Sequence, residues 1–239
     1  MAYPVSDISL RSIARFTGIG YLIIFFTGFF SNFFVLEGMM VSGDAAATCK
    51  NIIDQNMLFR SGILSFFLMV IFDVLLAWTL YLLLAPVNKK LSLLSAWLRL
   101  VNGTIFGVAL YHLFSVLHFT GNADYLNVMD QGLLQVQAML SIQAFNDTWL
   151  VGLVFFGLHL FFLGYLIFKS GYIPRFIGVL LIIAAAGYLI DSFAHFLLID
   201  YEVYKDFFLM IVVIPGVVGE LSLTMWLLFR GAKVPEIKY

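Results

Sequence analysis

The chain has 239 residues, of which 62% are hydrophobic and only 11% charged; its net charge is −1 and its mean hydropathy is +1.01. A soluble domain carries roughly 25% charged residues, and about 55–60% of its exposed area is already apolar, which leaves little room to hide a further apolar excess from water. The composition excludes a water-soluble fold of this size and makes the lipid bilayer the solvent, and the chain has no basic patch that would take nucleic acid as a partner.

Taken in chain order, the elements begin with an apolar run over 16–36, preceded by Arg11 and Arg15. At about 20 residues it exceeds a signal-peptide core, and the small-residue triplet Ala45-Ala46-Ala47 lies too far beyond it to be a cleavage site, so a retained first helix is predicted. Five further runs follow at 62–85, 93–119, 149–168, 176–199 and 207–229. Each has about 20 residues or more, enough to cross a hydrocarbon core of about 30 Å. In lipid the backbone must close its own hydrogen bonds, and no run shows the alternation of a barrel strand. The fold class predicted is therefore all-α: an integral membrane bundle of six transmembrane helices, forming one domain over 1–239.

The connections add detail. Ser170-Gly171-Tyr172-Ile173-Pro174 is short, so the fourth and fifth helices are predicted to be adjacent and antiparallel. The longest connections are 38–60 and 120–148. Within the second, 125–145 carries Leu126, Met129, Leu133, Leu134, Met139 and Leu140, read as an amphipathic segment on the membrane surface; a lid over a central site is the alternative. Tyr3, Trp97, Trp149, Tyr172 and Trp226 lie near predicted helix ends, where interfacial anchors sit. Cys49 is the one cysteine, so no intramolecular disulfide forms.

Basic residues set the orientation. The two termini and the second and fourth loops hold Arg11, Arg15, Lys89, Lys90, Arg99, Lys169, Arg175, Arg230, Lys233 and Lys238; the remaining loops hold Lys50, Arg60 and Lys205. This bias predicts both termini in the cytoplasm. Arg15, Arg99 and Arg175 each open an odd-numbered helix, and Asp73, His159 and Glu220 each lie inside an even one. Three repeated hairpins would produce that pattern, and positive-inside bias alone would also place the arginines.

Ionisable groups within membrane helices cost about 2.5–3.5 kcal/mol at the centre on insertion scales and mark functional sites by default. Asp73, His112, His159, Asp191, His195 and Glu220 are such groups. Counting from the basic helix ends at about 1.5 Å per residue, Asp73, His112, His159 and Glu220 fall near the midplane. Asp191 and His195, spaced i,i+4 on one helix face, lie nearer the outer leaflet. Pro215-Gly216, about one turn before Glu220, is expected to break the sixth helix, and a packing kink is the alternative.

Several stretches resemble an uncharacterised prokaryotic family of multi-pass membrane proteins, catalogued as domain of unknown function 4386. They are Asn56-Met57-Leu58-Phe59-Arg60; Asp73 with Leu80-Tyr81 and Pro86-Val87; Arg99-Leu100; Gly157-Leu158-His159; Gly164-Tyr165-Leu166; Lys169 through Gly178; Gly187-Tyr188-Leu189-Ile190-Asp191; and Glu220 with Trp226-Leu227. The resemblance implies a bacterial or archaeal inner-membrane protein and brings no activity with it.

Three functional readings remain open. The polar layer fixes the bundle as interhelical pairs, in a structural, sensory or ligand-binding protein. Alternatively it relays protons or holds a solute in a transporter. As a third reading, Asp73, His112, His159 and Glu220 bind a divalent metal, as in an intramembrane hydrolase. Haem held by His112 with His159 or His195 is a further cofactor candidate, although no CxxCH motif is present. A small-molecule ligand fits the first two readings, and the sequence fixes no oligomeric state.

Overall fold

Lipid offers the backbone no hydrogen-bond partners, so apolar segments of this length close their bonds internally as helices. The structure, a computed structural model, describes residues 9–121, 124 and 128–231. Its described elements are α1 (Leu10–Phe29), continued by a π-helical segment (Phe30–Glu37), then α2 (Ala45–Asp54), α3 (Asn56–Leu84), α4 (Lys89–Phe119), α5 (Gln131–Ser170), α6 (Arg175–Leu197) and α7 (Tyr201–Arg230). With α1 and its π segment counted together, six helices are long and apolar enough to cross a membrane, and α2 is the seventh. The all-α class with six spans is what the structure contains.

Several elements differ from the sequence expectation. The segment over 125–145 is no separate surface element: from Gln131 onward it is the first part of α5, which runs 40 residues without interruption. At about 1.5 Å per residue this helix is about 60 Å long, twice a hydrocarbon core. Tyr125 and Leu126 lie outside the described residues, as does Tyr3. The loop over 38–60 contains α2, begun by the Ala45-Ala46-Ala47 triplet; the Asp44 carboxylate accepts from Ala47 N–H at 2.8 Å and caps it.

The chain groups into two units. The first comprises the described residues up to Leu22, Phe72–Asn102, and those from Leu153 onward; the second comprises Ile23–Ile71 and Gly103–Gly152. In the second unit the π-helical turn brings Ser31 and Val35 onto α3. Ser31 Oγ donates to the Gly62 carbonyl at 2.9 Å, and a Cβ on Gly62 would lie 2.7 Å from Val35. Trp149, expected at an interface, is instead a packing residue: its ring stacks on Phe106 at 3.6 Å and touches Phe66 and Phe145.

In the first unit, glycines set how closely the helices approach. Gly164 of α5 and Gly178 of α6 face each other, and a Cβ on either would sit 2.6 Å from the other's carbonyl oxygen. This is the small-residue contact that replaces a hydrophobic driving force between helices in lipid. Gly171, at φ +75°, turns the chain between the two helices. Beside it Tyr172 donates its hydroxyl to the Leu83 carbonyl, and burial pushes that phenol's pKa up, so it stays a donor.

α7 passes through Pro215 as a continuous helix, so the expected break at Pro215 and Gly216 is absent. Proline there lacks the N–H that would bond the carbonyl of Ile211. Gly187 of α6 lies against that carbonyl, and a Cβ at Gly187 would be 2.5 Å from Ile211 O. Bare Cα–H groups contact carbonyls at such helix crossings, so tertiary packing covers the released acceptor that an isolated helix would expose.

Replacing Gly178 by Ala should force α5 and α6 apart and lower stability by about 1–3 kcal/mol. The same change at Gly107, where the nearest atom is a Val70 methyl at 4.0 Å, should stay within about 0.5 kcal/mol. Denaturant titration of the two purified variants in detergent checks the difference.

Candidate functional site

The polar groups of the first unit collect in one layer. Asp73 on α3, Arg99 on α4, His159 on α5 and Glu220 on α7 each lie about ten residues from one end of their helix, as Tyr21 does from the start of α1. At about 1.5 Å per residue that is a common depth of about 15 Å, half a hydrocarbon core. On α4 the polar residues form a stripe: Ser92, Ser95, Arg99 and Asn102 are all buried, while Trp97, Leu100, Val101 and Val108 are exposed. The spacing i, i+3, i+7, i+10 puts them on one helix face, and lipid outside inverts the usual amphipathic pattern.

Arg99 is the hub. Its side chain is 1% exposed, and Nη2 donates to Asp73 Oδ1 at 2.6 Å. Nη1 lies 3.2 Å from His159 Nε2 and 3.5 Å from the Tyr21 hydroxyl. Aromatic faces cover the guanidinium, with Cζ 5.2 Å from the Tyr21 ring centroid and 5.6 Å from that of Phe156. The charge expected in a cytoplasmic loop therefore lies within a long apolar helix, buried and paired. Removing it from the orientation count leaves nine basic residues against three. It also separates Arg99 from Arg15 and Arg175, both exposed, and so weakens the repeated-hairpin pattern.

The network fixes the state of His159. Guanidinium nitrogens only donate, so Nε2 must accept from Arg99. The proton is then on Nδ1, which donates to the Ser95 carbonyl at 2.8 Å. Ser95 Oγ donates back to the His159 carbonyl at 3.3 Å, which clasps α4 to α5. His159 is thus a neutral imidazole with its lone pair occupied.

Glu220 is half-buried on α7. Tyr188 packs edge-on against Phe156 at 5.2 Å, and its hydroxyl lies over Gly216, one turn before Glu220. Asp73 and His159 therefore meet through Arg99.

His112 is not in this layer. It lies on α4 thirteen positions past Arg99, about 20 Å further along the axis, in the second unit and half-buried. The midplane position expected for His112 counts from Arg99 as a helix-end residue, whereas Arg99 lies ten residues inside α4. Asp191 and His195 do share a face, and the start of α7 joins them: Tyr201 donates its hydroxyl to Asp191 Oδ1 at 2.6 Å, and its ring lies 4.4 Å from that of His195. Among the described residues no three His, Cys, Asp or Glu side chains gather as a metal-binding group, and His159 has no lone pair free for a metal ion or a haem iron. The sequence reading missed Arg99, Tyr21, Ser95 and Tyr188. The signal for the first was present: the Ser92, Ser95, Arg99, Asn102 stripe in an otherwise apolar run.

Histidine-selective ¹⁵N spectra of the protein should show one side chain, lost in His159→Gln, held as the Nδ1–H tautomer at neutral pH. An Nε2–H or doubly protonated ring would contradict the network.

An uncharacterised protein of Archaeoglobus fulgidus is 33% identical over 178 residues, covering 74% of this chain and 87% of the relative. No solved structure matches the chain. The model of a family described as "Domain of unknown function (DUF4386)" matches residues 16–231, and the chain belongs to that family.

Proposed function

We propose that this integral membrane protein binds a small molecule at the layer centred on Arg99, as a sensor or carrier. The observation that carries the reading is a fully buried guanidinium, inside a helix long and apolar enough to cross a membrane, held by groups from α1, α3 and α5. A bundle does not need such a group for stability. Taking two charges out of water costs several kcal/mol, and apolar residues of similar volume often pack as well or better. An intramembrane ion pair kept despite that cost is a functional candidate. The hydrolase reading loses its support, because His159 is engaged on both nitrogens.

The nine-to-three charge bias supports placement of both termini in the cytoplasm, and family membership supports a prokaryotic plasma membrane. Reporter fusions at Lys89 and Tyr239 should read cytoplasmic, and one near Asn127 should read outside; an external Tyr239 would reverse the orientation.

The role of the ion pair is tested by stability. Arg99→Met and Asp73→Leu should each cost about 3–5 kcal/mol, because each strands a buried charge. The double variant should recover wild-type stability or exceed it. A double variant as unstable as the single ones would make the pair a structural keystone and remove the argument for a binding role.

A further inference from the structure

Arg99 has five N–H donors in a planar fork. Nη2 is used toward Asp73, and Nη1 toward His159 and Tyr21. Nε is buried and has no hydrogen-bond partner among the described residues. Nε–H and one Nη2–H share an edge of the plane, and two carboxylate oxygens fill that edge in a bidentate pair. Asp73 does not fill it, since it meets Nη2 and leaves Nε alone. Buried donors in native proteins are nearly always satisfied, so this edge has a partner to find.

We propose that the Nε edge of Arg99 binds the carboxylate of a small aromatic or otherwise apolar monoacid. This rests on the ligand-binding reading above and names the ligand class. The two parallel donors of the edge select a carboxylate. Asp73 already pairs with Arg99, and a dianion would bring two charges beside that carboxylate where charges are poorly screened. A cation would face the guanidinium itself, and a neutral ligand would leave the fork half used. The surroundings select an apolar body: Tyr21 and Phe156 flank the guanidinium, and Tyr188 extends the wall from Phe156 toward α7. Glu220, half-buried one turn past the glycine that Tyr188 lies against, opposes the incoming charge whenever it is ionised. Glu220 is therefore the affinity-setting residue, and Arg99 the binding one.

The test uses the full chain in nanodiscs of zwitterionic phosphatidylcholine, titrated calorimetrically with benzoate, benzamidine and benzyl alcohol. Benzoate should bind the wild type. It should bind Glu220→Gln about tenfold more tightly, the scale of one like charge removed from a partly buried site. Arg99→Lys keeps the charge but lacks the planar edge, and should bind benzoate at least tenfold more weakly. Equal affinity in Arg99→Lys, or weaker binding in Glu220→Gln, overturns the proposal; where Arg99→Lys fails to fold, Glu220→Gln decides. Tighter binding of benzyl alcohol or benzamidine overturns the carboxylate assignment and leaves the ligand-binding reading standing. Binding of none of the three, together with a destabilised Arg99→Met/Asp73→Leu double variant, removes both.

Discussion

A guanidinium inside a bilayer must be solvated by protein, and meeting that requirement organises the first unit of this structure. Arg99 cannot lose its charge, so its donors need acceptors at that depth. Asp73 supplies the countercharge from α3, His159 a neutral lone pair from α5, and Tyr21 an oxygen and a ring face from α1. Each partner is constrained in turn. His159 can accept only with its proton on Nδ1, and Ser95 takes that proton through a backbone carbonyl. One charge thereby fixes a tautomer, a helix clasp and the facing of four helices.

Close approach is what makes these distances attainable. Without a hydrophobic force between helices, association in lipid depends on packing and interhelical hydrogen bonds. Gly164 and Gly178 bring α5 and α6 to backbone contact, and Gly187 brings α6 onto the Ile211 carbonyl of α7. Proline in α7 therefore does not make an opening. The acceptor it releases is covered by a glycine on the neighbouring helix, and the span stays helical to Arg230. The break expected from proline chemistry describes an isolated helix, whereas here the neighbour decides.

The membrane inverts the reading of sequence pattern. In water the apolar face of a helix is its buried face; on α4 the buried face is Ser92, Ser95, Arg99 and Asn102, and the tryptophan and valines face out. An arginine in such a stripe has the same letter as an arginine in a cytoplasmic loop. Only its neighbours at i−4 and i+3 tell the two apart. Once Arg99 is placed inside, the depth scale along α4 shifts, and His112 moves about 20 Å from the layer it was assigned to.

Composition by itself determined the solvent, and the solvent determined the secondary structure: a chain this apolar must be helical, and runs of about 20 residues must span. Six apolar spans and the tight turn before α6 were legible for that reason. Tertiary structure decided which polar groups meet. The Arg99 contacts join residues 26, 60 and 78 positions apart, and local pattern carries no information on pairing across that range. It also decided that Trp149 packs inside, stacked on Phe106, and that the segment after Gln131 continues α5. Hydropathy measures how a residue partitions into lipid, whereas its neighbours in the fold determine whether it faces lipid or a partner.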